Sequence, residues 1–531
     1  MSAYILIIAI IILICLLLNQ VSNKLGIPML LAFIVLGMLF GSDGLFKIPF
    51  DNYIISEQIC SFSLIFIMFY GGFGTNWNKA KPIAVKSLLL STVGVILTSL
   101  TTGLFCFYAL HFDLLESMLI GAVISSTDAA SVFSILRTKQ LNLKYDTASL
   151  LEVESGSNDP CSFMLTVIIL SLMSNQFSNG QLIQMVFSQL AFGIVVGVAV
   201  AMVSVFVLSK FKFTTDGFDT IFIFSMALIS YAGAAYIGGN GYLSSYIAGI
   251  ILGNKSIKNK KSLVHFFDGV TGLMQMLIFF LMGLLSFPSQ LPKIFLSALA
   301  IALFLTFIAR PISVFAILSP FKCPMNQKLF VSWAGLRGVA SIVFSIMATV
   351  SPAYMKNDIF HIVFFIVLFS ISIQGTLLSF MARKLKMIDK QDNVMKTFSD
   401  YSDEIPVQFV KIQISENHAW INKRIKEIEL APNLLLILIV RESERVIPSG
   451  NTMIKQGDTI VLSALSVEDD FEVALTEVKI DKDSPYLGMP LSDIRLNDKK
   501  IIILLKRNDR AIIPNKKITI KQDDVLIICQ I

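Results

Sequence analysis

The sequence predicts a polytopic α-helical membrane protein of about thirteen spans, followed by a cytosolic α+β domain of two tandem lobes. Three observations predict it. The 531-residue chain is 55% hydrophobic and 15% charged, with a mean hydropathy of +0.73, whereas a soluble domain is charged at about a quarter of its positions. The charge is unevenly placed, because residues 1–386 are mostly apolar and residues 387–531 are not. The second part also repeats itself at a constant offset of 66 residues.

Apolar segments of spanning length, about 17–25 residues, centre on 4–20, 27–44, 58–74, 86–108, 114–136, 148–173, 183–208, 219–237, 241–253, 266–287, 294–318, 328–350 and 359–382. The first has neither a basic n-region nor a small-residue cleavage site, and reads as a retained span rather than a signal peptide. With the N-terminus outside and the tail in the cytoplasm, eighteen Lys and Arg fall in inside loops and three, Lys47, Lys293 and Lys356, in outside loops. That asymmetry obeys the positive-inside rule and describes a multi-pass protein of the cell membrane. The net charge of +6 thus serves topology and needs no nucleic acid. The six cysteines have neither metal nor disulfide spacing and read as small apolar residues. The four histidines form no ligand pair.

Six ionisable residues stand out inside the spans: Asp128, Glu152, Glu154, Asp159, Arg310 and Arg337. A charge at such depth is a functional hypothesis that needs a named partner. At 1.5 Å rise per residue, Glu154 lies about 9 Å and Asp159 about 16 Å from the cytoplasmic end of the sixth span, and Arg310 about 12 Å deep in the eleventh. Glu154 and Arg310 are therefore expected to neutralise each other, while Glu152 is expected to reach the interface. Along "LEVESGSNDP", Glu154 shares a helix face with Asn158, and Ser155 shares one with Asp159. Ser155 and Asp159 outline a hard-cation site of oxygen ligands; polar interhelical glue is the alternative. "SSTDAAS" (125–131) puts Thr127 and Asp128 inside the fifth span, and "WAGLRGVAS" (333–341) puts Gly335, Arg337 and Gly338 inside the twelfth. Small and polar residues at mid-membrane predict unwound helices, with an Asp at a half-helix N-terminus and an Arg at a half-helix C-terminus offsetting the exposed dipoles. Spans five and twelve are each the fifth member of a six-span block, one to six and eight to thirteen, as inverted repeats require.

The strings "STDAA", "ESGSND", "FIARP" and "GLRG", in this order, resemble the NhaP-type branch of the cation:proton antiporter superfamily, and most nearly its potassium/proton antiporters. The resemblance covers residues 1–386. It implies two discontinuous crossing helices, a six-helix core and a homodimer. It implies Asp159 as the cation- and proton-binding acid, with Thr127, Asp128, Ser155 and Asn158 around it and Glu154 paired to Arg310. Two positions depart from the family pattern: Ala129 replaces a frequent proline, and "FYGG" places Tyr70 where close relatives carry an acid. One titratable acid beside a neutral Asn158 predicts electroneutral exchange, one cation for one proton. K+ is the expected cation, with Na+ the alternative on the same mechanism. An aspartyl protease built on Asp128 and Asp159 would want a Gly-x-Gly-Asp context, which "SGSND" does not provide, and a channel would need neither the acid/arginine pair nor interrupted helices. The chain is read as a transporter, not an enzyme, serving pH and volume homeostasis.

A polar linker, 387–405, leads to lobes at 406–470 and 471–531. Arg441 aligns with Arg507, Pro448 with Pro514, Asp458 with Asp524 and Trp420 with Tyr486. Each lobe reads as strand, helix, then two or three strands. No G-x-G-x-x-G follows a strand, so a dinucleotide-binding lobe is not expected. "VRESERVIP" and "KRNDRAIIP" resemble TrkA-C lobes of potassium-regulating proteins. That resemblance implies dimerisation and a small anionic ligand, cyclic di-AMP or another nucleotide, at Arg441, Ile447 and Pro448 or Arg507, Ile513 and Pro514. A rigid dimer clamp is the alternative. No other cofactor is expected.

Overall fold

A computed structural model describes residues 6, 9–17, 28–138, 141–174, 179–211, 217–255, 257 and 260–389, and in the tail 407–530 apart from 417, 419, 431–433, 442–443, 466–473, 482–483, 492–493, 495–499, 508–509 and 513–517. Ile513 and Pro514, loop lysines Lys24, Lys139, Lys212 and Lys258, and linker residues 390–405 lie outside the described residues. The chain divides into two compact units, Met1–Asp403 and Glu404–Ile531.

In the first unit, eight helices among the described residues are long and apolar enough to cross a membrane: Tyr53–Phe73, Ala84–Leu110, Thr147–Met173, Gly180–Lys210, Phe218–Tyr236, Ser262–Leu284, Pro288–Leu318 and Ile359–Lys384. Shorter apolar helices occupy Met29–Phe40, Leu114–Val123, Gly241–Gly253 and Val339–Val350. The short ninth span is a separate helix with the bounds read from the sequence. Asn240 caps it, accepting from Leu243 N at 3.0 Å, and its amide donates to Pro160 O at 3.0 Å. Pro160 lies inside Thr147–Met173, where it cannot donate a backbone hydrogen bond. Glycines let helices three and nine touch backbone to backbone: a Cβ at Gly249 would collide with Phe69 O, and one at Gly72 with Tyr246 O.

The fifth and twelfth spans are each broken. Leu114–Val123 and Ala129–Thr138 flank one extended stretch, and Met325–Trp333 and Val339–Val350 flank the other. Three further irregularities have no counterpart in the sequence reading. π-turns interrupt the fourth span at Leu90–Gly94, the eleventh at Leu305–Ala309 and the thirteenth at Ser370–Gly375. The first residues of the predicted linker belong to the helical unit: Met387 is buried, Lys144 N donates to Met387 O at 2.9 Å, and Ile388 bridges to Leu143.

The second unit holds two antiparallel sheets. In the first, β1 (Val407–Gln413), β2 (Leu434–Arg441), β3 (Glu444–Val446) and β4 (Thr459–Leu465) take the order β1-β4-β2-β3. In the second, β5 (Ala474–Lys479), β6 (Lys500–Arg507), β7 (Arg510–Ile512) and β8 (Val525–Gln530) take the order β5-β8-β6-β7. The 66-residue offset extends to the buried side chains: Ile414, Ile439, Ile454 and Ile460 fill one core where Ile480, Leu505, Ile520 and Leu526 fill the other. It extends to the irregularities too, with register shifts between Leu436 and Leu438 in one sheet and between Ile502 and Leu504 in the other. The helix expected after the first strand is, in lobe one, only a 3₁₀ turn, Ile425–Glu427. The described chain around it is spent on turns and on a bridge from Arg424 to Met453, which leaves too little for a nucleated α-helix.

Candidate ion-binding site

The two breaks cross and bond to each other. Asp128 N donates to Leu336 O at 2.8 Å, and Arg337 Nη1 donates to Ser126 O at 2.6 Å. Each break thus satisfies backbone groups that the other leaves without helical partners. Arg337 is buried, and it answers the carbonyl end of the fifth span's half-helix rather than that of its own span. Asp128 sits at the start of Ala129–Thr138, where its carboxylate accepts from Ser131 N at 3.2 Å and Ser131 Oγ at 2.5 Å, as an N-cap does. Gly338 makes the crossing possible, because a Cβ there would overlap the Asp128 carboxylate. Gly335 gives way in the same manner to Arg310, whose Nε would lie 2.8 Å from an added Cβ.

The sixth span supplies the polar wall beside this crossing. Ser155 Oγ donates to Thr127 O at 2.8 Å and accepts from Ala129 N at 2.9 Å, which staples both sides of the fifth span's break. Asn158, fully buried, donates from Nδ2 to Thr127 Oγ1 at 2.7 Å. Ser126 Oγ donates to Asp159 Oδ1 and lies 3.3 Å from Asn158 Oδ1. One turn away, Glu154 and Arg310 form an ion pair at 2.6 Å, with side chains 1% and 4% exposed. The depth argument from sequence puts these two at similar depth. Arg310 follows directly on the π-turn Leu305–Ala309, an irregularity frequent at functional positions. The π-turn of the thirteenth span braces the twelfth: Ser370 Oγ accepts from Arg337 N at 3.0 Å, and Gln374 Nε2 donates to Trp333 O at 2.5 Å.

Asp159 opens on a cavity of about 490 Å³. Ser126, Thr127, Asp128 and Ser155 share its lining, and Tyr70 and Asp268 stand on walls from the third and tenth spans. Glu152, expected at the interface, lines the same cavity, because the helix turn that carries Ser155 and Asp159 carries position 152 to the same side. Three residues of consequence escaped the sequence reading. Ser126 touches both the acid and, through its carbonyl, Arg337; only its place in "SSTDAAS" hinted at it. Asp268 lies near the start of the tenth span's range, and the sequence reading passed over it. Glu116, buried in the first turn of Leu114–Val123, accepts from Lys356 N and from Asn357 Nδ2 at 2.5 Å, and so pins the fifth span to the loop before the thirteenth.

In the tail, Arg441 is held in a bidentate pair with Asp458, Nε to Oδ1 and Nη2 to Oδ2 both at 2.8 Å, and also donates to Met453 O at 2.9 Å. Arg507 repeats this with Asp524 at 2.7 and 2.6 Å and with Thr519 O at 2.7 Å. Both carboxylates are buried. Burial alone would raise their pKa, but the arginine and backbone hydrogen bonds outweigh it and hold both below the ordinary carboxylate value. Ile447 is 86% exposed beside Pro448.

Crossed, interrupted helices with a buried acid facing a cavity beside them are the architecture of a membrane transporter for a small cation. The chain belongs to the sodium/hydrogen exchanger family, whose transmembrane pattern (Sodium/hydrogen exchanger, transmembrane) matches residues 8–384, and it is a cation/proton antiporter. The TrkA-C domain pattern matches residues 409–467 and 475–529. The chain is 32% identical to the K(+)/H(+) antiporter NhaP of Alkalimonas amylolytica over 463 residues, 86% of this chain and 80% of that one. It is also 32% identical to the K(+)/H(+) antiporter NhaP2 of Shewanella sp. (strain MR-4), with the same shares covered. Among solved structures, the sodium proton antiporter MjNhaP1 from Methanocaldococcus jannaschii at pH 8 has the same fold, with a TM-score of 0.64, 24% identity, and 72% of this chain and 99% of that one covered.

Proposed function

We propose that the protein is an electroneutral K+/H+ antiporter of the plasma membrane, and that Asp159 carries a cation and a proton in alternation. The observation that carries this reading is the position of Asp159. It faces the cavity, while Glu154 is neutralised by Arg310 and Asp128 is committed to a helix N-terminus. Thr127, Ser155 and Asn158 form the polar frame around the acid. One acid that exchanges one charge for another leaves no net charge to move. Rocking of one helix bundle against the other, in the manner of transporters built on inverted repeats, would carry the site across. The repeat reading is supported by paired irregularities: broken fifth and twelfth spans, and π-turns in the fourth and eleventh, which hold corresponding places in the two six-span blocks. The cavity lies where the third span ends and the sixth and tenth begin. The charge asymmetry of the loops supports reading that side as cytoplasmic.

K+ as the substrate rests on the relatives named K(+)/H(+) antiporters. A Na+/H+ exchanger would use the same site, since both ions want oxygen ligands. The chain acts as a homodimer, and its tail binds an anionic regulator such as cyclic di-AMP. The test is proton flux in proteoliposomes driven in turn by K+, Na+, Rb+ and Li+, with an imposed membrane potential varied. K+-driven flux that ignores the potential and vanishes in Asp159→Asn is the expected result. Na+-only flux overturns the substrate, potential-dependent flux overturns the stoichiometry, and flux through a folded Asp159→Asn protein overturns the site.

A further inference from the structure

The cavity in front of Asp159 has a second acidic wall. Asp268, Thr271, Gly272 and Gln275 of the helix Lys260–Leu284 all line it. Their spacing of three, four and seven residues places them on one helix face, turned to the cavity. Across from them stand Tyr70, Gly71 and Gly74 at the end of Tyr53–Phe73. Tyr70 Oη donates to Asp268 Oδ1 at 3.4 Å, a long hydrogen bond that links the two walls. The passage beside this link is bare, because a Cβ added at Gly71 or at Gly272 would meet nothing within 4 Å. Asp268 itself is exposed, while Asp159 lies deeper, against the helix crossing. Asp268, which shares the cavity lining with Glu152, therefore differs from the carboxylates whose charge the fold answers. Glu154 has Arg310, and Asp128 has a helix terminus. Among the described residues the partner of Asp268 is a phenol, which orients a carboxylate without cancelling its charge.

We infer that Asp268, positioned by Tyr70, is the carboxylate that draws the monovalent cation into the cavity and raises its concentration before exchange at Asp159. A negative charge on the wall of a cleft bordered by low-dielectric protein does this by focusing the local potential. The inference rests on the assignment of Asp159 as the exchanging acid. Asp268 makes no claim on the exchange step itself, so its removal affects the concentration of cation needed and not the turnover at saturation.

The experiment is K+-driven proton flux in proteoliposomes, with KM and kcat measured separately at low and high concentrations of an impermeant inert salt. For Asp268→Asn the expected result is a KM for K+ raised about 3- to 10-fold with kcat near the parent's, and a difference that shrinks as salt screens the charge. Asp268→Glu should keep the parent KM. The double variant Tyr70→Asp/Asp268→Asn moves the carboxylate across the same hydrogen bond and should restore most of the loss. An unchanged KM in Asp268→Asn, or a lower kcat at unchanged KM, overturns the inference. If Asp268→Asn does not fold, the parent decides: a KM that stays flat as inert salt is added overturns it equally. Exchange by Asp159→Asn would instead overturn the site assignment, which is a separate result.

Discussion

At the residue scale, the membrane domain turns on how each charge is answered. Glu154 and Arg310 are both removed from solvent, and a pair of this kind costs free energy chiefly when one member is taken away. Glu154→Gln leaves Arg310 as a buried cation without its counter-ion and should destabilise the fold by about 3–5 kcal/mol. Thermal unfolding in detergent should show the loss, and Glu154→Gln/Arg310→Met should recover part of it. Equal stability of the parent, Glu154→Gln and Arg310→Met would mean that the pair is not a structural support. Ser126 has a different job. Its hydroxyl reaches Asp159 while its carbonyl is held by Arg337, so it connects the acid to the crossing. Ser126→Ala removes one hydrogen bond from the acid without disturbing that carbonyl. Its expected signature is a several-fold change in the KM for K+ with the protein as stable as the parent; a change in melting temperature alone would show Ser126 to be only a packing residue.

At the element scale, the crossing depends on space as much as on bonds. Gly338 lies against the Asp128 carboxylate where no Cβ fits, so Gly338→Ala must push Asp128 off the helix terminus it caps. The expected outcome is loss of exchange with a lowered melting temperature, whereas Gly71→Ala, at a position with open space, should fold normally. Normal flux in Gly338→Ala would show that the crossing tolerates displacement. Much of this was legible in the sequence. Long apolar runs fix where helices lie, and the glycines, alanines and hydroxyls of "SSTDAAS" and "WAGLRGVAS" mark where they cannot continue. Similar depth, together with the family resemblance, was enough to pair Glu154 with Arg310. The π-turns were not legible, because Leu90–Gly94 and Leu305–Ala309 are ordinary apolar strings whose extra residue per turn is imposed by neighbours. The partners of Arg337 were half legible. Its dipole role is written in its position, but its acceptor, Ser126 O, belongs to another span. Asp268 shows the same limit, since its significance comes from sharing a cavity with Asp159, a residue of a span far away in the chain.

At the scale of the whole molecule, the transporter is joined to a duplicated tail, and the tail's arginines decide how the proposed regulation can be tested. In each lobe the arginine ties the end of one strand to the aspartate just before that strand's neighbour in the sheet, Arg441 of β2 to Asp458 before β4 and Arg507 of β6 to Asp524 before β8. Both aspartates have folded pKa values below their unfolded value of about 3.9, so each contributes stability that is fully present above that value and lost as pH falls through the folded one. Hydrogen exchange on the intact protein should therefore show β2, β4, β6 and β8 losing protection below about pH 4, with little change between about pH 5 and 8. Arg441→Ala should remove that protection from lobe one at neutral pH, because it leaves Asp458 buried and unpaired. The same variant is consequently a poor probe of ligand binding, as a lost response would follow from a loosened lobe. Ile447 is the better probe: it is exposed, adjoins Pro448 and makes no part of the buried core. If cyclic di-AMP acts through this edge, it must favour one arrangement of the lobes over another to alter transport at all. Ile447→Asp should then abolish the effect of cyclic di-AMP on K+-driven flux by the full chain while hydrogen exchange in β2 and β4 stays at the parent's level. A full response in Ile447→Asp would move the ligand away from this edge. No response in the parent, together with unaltered flux after deletion of residues 406–531, would leave the paired lobes as a clamp between protomers.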